Sequence, residues 1–113
     1  MAYLPFIEPR VTSTASSATP TPNSETTDEY IVTALGEAAT FGAPTGIAKQ
    51  GQKLIIRVKD DGTARALSWN SIYRAGTDVS LPTTTVLSKT IYIGFIYNST
   101  DIKWDIIAKA DGF

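Results

Sequence analysis

Between Lys89 and Ala110 the chain reads KTIYIGFIYNSTDIKWDIIAKA, two runs of β-branched and aromatic residues on either side of the turn formers Asn98-Ser99-Thr100-Asp101. That pattern predicts a β-hairpin. Side chains along a strand alternate between faces. The first run therefore puts Ile91, Ile93, Phe95 and Tyr97 on one side and Tyr92, Gly94 and Ile96 on the other. Both sides are apolar, which suits a strand placed centrally between two packed layers or against another subunit. In the second run Ile102, Trp104, Ile106 and Ala108 share a face, while Lys103, Asp105 and Lys109 turn the other way with Ile107 among them.

Upstream, Tyr30 to Leu35 predicts a first strand that stops at Gly36, with Tyr30, Val32 and Ala34 opposite Ile31, Thr33 and Leu35. Glu37 to Phe41 fits either a short strand or a helical turn. Lys53 to Lys59 alternates cleanly, with Leu54, Ile56 and Val58 inward and Lys53, Arg57 and Lys59 outward. Asp60-Asp61-Gly62 then reads as a three-residue hairpin loop with Gly62 at the positive-φ position, which makes Thr63 to Trp69 the partner strand. Ile72 to Ala75 is a short strand candidate, and Leu81-Pro82 with Thr83 to Thr85 an extended edge. Many short strands, frequent turns and no convincing helix predict an all-β fold, an antiparallel β-sandwich of jelly-roll type.

The N-terminal end behaves differently. Residues 1–10, MAYLPFIEPR, set Tyr3, Leu4, Phe6 and Ile7 between two prolines, a combination that forbids a stable helix and favours an extended course. Twelve of the eighteen residues from Val11 to Asp28 are Ser, Thr or Pro. Such a segment buries too little apolar surface to offset its ordering entropy. The expected organisation is an extended N-terminal arm over residues 1–28 and a β-sandwich domain over residues 29–113. Tyr3, Leu4, Phe6 and Ile7 either fold back on their own domain or, the favoured expectation, plug into a neighbouring protein.

Composition narrows the chemistry. A chain of 113 residues has room for one domain with a core. The net charge is −1 and the ten basic residues are scattered, so nucleic acid is not an expected partner. There is no histidine and no cysteine. That removes Ser-His-Asp and Cys-His arrangements, the common zinc sites and disulfides. No apolar run approaches the length of a membrane span, and the first residues lack the pattern of a signal peptide, so a soluble chain is expected.

Carboxylate pairs are the remaining candidates for catalysis. Asp60 and Asp61 read as turn residues. Asp101 and Asp105 flank Trp104, as at the start of a sugar-binding groove, yet one belongs to a turn and the other to a wet strand face. Glu25, Asp28 and Glu29 lack the loop spacing of a calcium motif. No nucleophile motif and no phosphate-binding glycine loop is present. No enzyme activity and no cofactor are expected.

The stretches ATPTPNSETTDEY, FGAPTG, GQKLIIRVKDDGTARALSWNSIYRAGTDVSLPTTTV, SKTIYIGFIYN and KWDIIA together resemble a small β module of structural proteins in tailed bacteriophages, found in tail-fibre, baseplate and other virion-surface proteins. The resemblance runs from about Val11 to the C-terminus and leaves out residues 1–10. It implies a virion-surface location and no catalytic residue. It also implies a homotrimer, with Tyr92, Gly94 and Ile96 as the candidate oligomer face, and partners among other virion proteins: the major capsid protein for a decoration or cement protein, or tail and baseplate proteins for a short fibre. The brevity of the chain favours decoration. Receptor or glycan binding by loops bearing Trp69, Tyr73 or Trp104 is a third expectation.

Overall fold

The computed structural model describes residues 8–113, so Tyr3, Leu4, Phe6 and Ile7 lie outside the described residues. All regular structure in it is β. Eight strands run in chain order: β1 (Val11–Thr14), β2 (Glu29–Leu35), β3 (Ala39–Phe41), β4 (Lys53–Asp60), β5 (Leu67–Trp69), β6 (Tyr73–Arg74), β7 (Thr90–Asn98) and β8 (Lys103–Ala110). Six form one sheet in the order β1-β2-β4-β7-β8-β6, and β3 pairs with β5 in a second, two-stranded sheet.

The sheet is mixed, which corrects the antiparallel expectation. The β4–β7 and β7–β8 pairs are antiparallel, but β1–β2, β2–β4, β6–β8 and β3–β5 are parallel. The expected hairpin of Lys53–Lys59 with Thr63–Trp69 does not form, although Gly62 does adopt a positive φ of 106°. Both edges of β4 are already taken, by β2 and by β7, so no edge is left for a returning strand. Residues 67–69 pair instead with β3, which resolves residues 39–41 as strand. The C-terminal hairpin forms as expected. Asn98 ends β7 by accepting the Thr100 and Asp101 N–H groups on its side-chain oxygen, an Asx turn.

Two irregularities move side chains that strict alternation misplaces. A register shift in β2 beyond Val32 returns Leu35 to the buried side. A second shift, between Gly94 and Phe95, sets Ala108 opposite Gly94 rather than in line with Trp104 and Ile106. Ile102, at φ 56°, belongs to the turn and is exposed.

One core lies against one side of the large sheet. Tyr30 and Val32 of β2, Leu54, Ile56 and Val58 of β4, Ile91, Ile93 and Phe95 of β7, Trp104 and Ile106 of β8, and Tyr73 of β6 meet Leu35, Ala39, Phe41 and Leu67. Aromatic rings join the two sheets. Trp69 stacks on Phe41 at 4.4 Å and lies 5.7 Å from Phe95, with Tyr73 between them.

Residues 15–28, expected to belong to a free arm, are bonded to this unit along their length. The carbonyls of Ala15, Ala18, Pro20 and Pro22 accept from Ala34, Thr40, Gly42 and Thr45. Pro20, Pro22, Ser24 and Thr27 are buried. Composition misleads here because backbone hydrogen bonds, with a few buried side chains such as Pro20 and Pro22, order a segment that has no large aliphatic residue beyond Val11. Proline suits such a strap: it offers a carbonyl and has no N–H to leave unpaired.

Candidate interaction surface

The second side of the large sheet is built from the residues that alternate with the core. Register lines them up in rows. Val11, Glu29, Ile55, Gly94 and Ala108 form one row, and Ser13, Ile31, Arg57, Tyr92 and Ala110 the next. Lys53, Ile96, Asp105 and Arg74 form a third. Tyr92, Gly94 and Ile96 therefore do share a face, and that face carries large apolar side chains in the open. Ile55 is 38% exposed, Ile107 52% and Phe113 67%. Gly94 sits beneath two of them. A Cβ placed there would lie 3.5 Å from Ile55 Cδ1 and 3.9 Å from Ile107 Cγ1, ordinary contact distances. Phe113 turns its ring edge to Tyr92 with centroids 5.7 Å apart.

Sequence reasoning found the β7 residues of this face and set Ile107 on the wet side of β8, but missed Ile55 and Phe113. The signal for Ile55 was available: in KLIIRVK it is the apolar residue among outward cations. Charge frames the apolar rows. At one end Arg74 donates to both oxygens of Asp105 at 2.6 and 3.0 Å and to Asp101 at 2.9 Å. Those guanidinium bonds hold the Asp105 carboxyl below its ordinary range and push Arg74 up. Along β4 the cations Lys53, Arg57 and Lys59 make no ion pair among the described residues.

The other candidates resolve into structural roles. Asp60 is only 3% exposed. Its carboxylate accepts from the Gly62 and Ser88 N–H groups and the Thr85 hydroxyl, each at 3.0 Å. Burial pushes its pKa up, but these donors outweigh burial and hold it below the usual carboxylate value. Asp61 turns away to a bidentate contact with Arg65. Asp28 is gripped by Arg10, which also reaches the Glu25 carbonyl, while Glu25 accepts the Ile47 N–H. Among the described residues no group of three or more acids is placed to hold a metal ion.

Of the three aromatics proposed for glycan contact, two are buried and Trp69 is half-buried. Tyr73 and Trp104 are buried in the core, and Trp69 donates its indole N–H to the Pro82 carbonyl at 2.7 Å while stacked on Phe41. A groove of about 530 Å³ opens where residues 24–25 pass residues 47–52. Several of its polar groups are spent on internal bonds: Gln52 joins the Ser24 carbonyl to the Lys49 N–H, and Glu25 accepts the Ile47 N–H. Comparison of the chain with protein-family models, curated proteins and solved structures finds no match.

Proposed function

We propose that this chain is a non-enzymatic structural protein of a tailed-bacteriophage virion, a capsid decoration or cement protein that forms trimeric knobs on the particle surface. The observation that carries the assembly part of this reading is the open apolar side of the six-stranded sheet. Ile55, Ile96, Ile107, Tyr92 and Phe113 stand together on it, and contiguous apolar surface of this kind marks an association face. The resemblance of residues 11–113 to phage virion modules supports the location. Within this reading the two sheets are the layers of a jelly-roll-like sandwich, a view supported by the ring contacts that Trp69 makes across them with Tyr73 and Phe95.

Residues 1–7 are the attachment segment, with Tyr3, Leu4, Phe6 and Ile7 seated in pockets of the capsid protein. Three such segments per trimer multiply a weak contact through effective concentration. Imaging particles by cryo-electron microscopy with and without the protein tests the location. Density lost from the capsid surface supports decoration, and density lost from the tail replaces that reading with a short fibre or baseplate component. A chain lacking residues 1–7 keeps the Arg10–Asp28 contact. It is expected to fold and assemble but not to join particles, and full occupancy of the truncated chain sinks the attachment role.

A further inference from the structure

Three of the four arginines are matched by acids of the same chain: Arg10 by Asp28, Arg65 by Asp61, and Arg74 by Asp101 and Asp105. Arg57 is the exception. It is half-buried on the open side of the sheet, makes no ion pair among the described residues, and sits 6.0 Å from the centre of the Tyr92 ring. Withdrawing a guanidinium from water without an anion is costly, and the other three avoid that cost. Beside Arg57, the side chains of Lys59, Thr33 and Thr90 border a hollow of about 240 Å³ that Ile31 also lines. The hollow lies by the β2 register shift beyond Val32. The Thr33 hydroxyl already donates to the Thr14 carbonyl, which leaves two cations and the Thr90 hydroxyl around the hollow. These are a donor set for a carboxylate, which a guanidinium binds through two parallel bonds.

The same face carries an acid in the complementary situation. Glu29 is half-buried, stands in the Ile55 row, and makes no ion pair among the described residues. We propose that this face binds a second copy of the chain, with the Glu29 carboxylate of one copy entering the Arg57–Lys59 hollow of the next. The inference deepens the oligomer reading above and rests on it. In a closed assembly each copy gives one carboxylate and receives one. The strand spacing and rise make the apolar rows roughly 20 Å by 20 Å, ~400 Å² per copy. That is half of the ~800 Å² per partner in a standard interface, so apolar area alone does not set the pairing. Placing β4 on β4 would oppose Lys53, Arg57 and Lys59 to themselves, whereas placing the Glu29 row on β4 satisfies both signs.

The test is charge reversal and its rescue in the full chain, followed by sedimentation velocity over a range of concentrations. Glu29→Arg alone and Arg57→Glu alone are each expected to weaken assembly at least tenfold, and the double variant to recover most of that loss. Glu29→Gln and Arg57→Gln serve as milder replacements should a reversal impair folding, which urea unfolding of each variant detects. Single reversals without effect, or a double variant no better than the singles, overturn the proposal while leaving the oligomer reading in place. A wild-type chain that is monomeric throughout overturns both. Should Arg57→Glu spare assembly yet abolish binding to particles, the hollow belongs to an acidic surface of another virion protein, and the second-copy assignment falls.

Discussion

The two sides of the six-stranded sheet are drawn from the same strands, and the contrast between them separates what the fold needs from what it offers. On the inner side every strand but β1 contributes buried side chains, among them Phe95, Ile93, Ile56 and Trp104. On the outer side the alternating residues of those strands leave Ile55 and Ile107 in the open, beside β4 cations that make no ion pair among the described residues. The inner side is used up by folding. The outer side keeps unspent apolar surface and unspent charge, and it keeps them together.

Breaking the inner side should have the largest effect. Phe95→Ala removes a ring enclosed by Tyr73 and Trp69 and is expected to cost about 3–5 kcal/mol in urea unfolding. Next comes the pin at the loop edge. Asp60→Ala leaves the buried Thr85 hydroxyl and the Gly62 and Ser88 N–H groups without their acceptor and is expected to cost about 2 kcal/mol, with protection lost first around residues 85–88 in hydrogen exchange. A loss confined to no region would refute the pin.

Acid probes the same pin together with the ion pairs. Asp60, Asp28 and Asp105 all have folded pKa values below the ordinary one. Their stabilisation is therefore complete above the unfolded value of about 3.9 and disappears as pH falls through the lower folded values. Unfolding midpoints should be flat from pH 7 to pH 5 and fall below pH 4. The strap yields a smaller effect. Gly46 has φ 78°, and a Cβ there would meet Asn23 Oδ1 and Glu25 Cγ at 2.9 Å, so Gly46→Ala is expected to cost about 1 kcal/mol.

Smallest of all for the isolated chain is the outer side. Ile55→Ser should change monomer stability by no more than about 0.5 kcal/mol yet weaken assembly in sedimentation. A large loss of monomer stability there would erase the contrast between the two sides.

Much of this was legible in the residues, and the failures share a cause. The hairpin, β4 and the inward sets Leu54-Ile56-Val58 and Ile91-Ile93-Phe95 follow from period-two patterning, which is local. Parallel pairing is not local. Nothing in Thr63 to Trp69 announces that β4 already has two neighbours, and nothing in the Ser, Thr and Pro run announces that its carbonyls meet Thr40 and Gly42. The outer face was legible where both alternating sets of one strand were apolar, at Tyr92 to Ile96. It was legible too at Ile107, on the wet side of β8, and was overlooked at Ile55, where one isoleucine stands among outward cations; Phe113 carried no local signal. Arg57 could be identified only after the three other arginines had been seen with their acids.

The parallel joints also bear on the order of events in time. The β4–β7 and β7–β8 pairs, the centre of the sheet, need no parallel crossover. The β1–β2, β2–β4 and β6–β8 pairs must wait for intervening chain to close, and closure entropy is spent before such contacts return anything. The chain should therefore refold in milliseconds to seconds, slowly for its size, from a nucleus around β7. During that interval the strands that end as edges have no neighbours, and the face carrying Ile55 and Ile107 is already formed. Whatever covers that face in the finished assembly also ends the period in which it is a hazard to the folding chain.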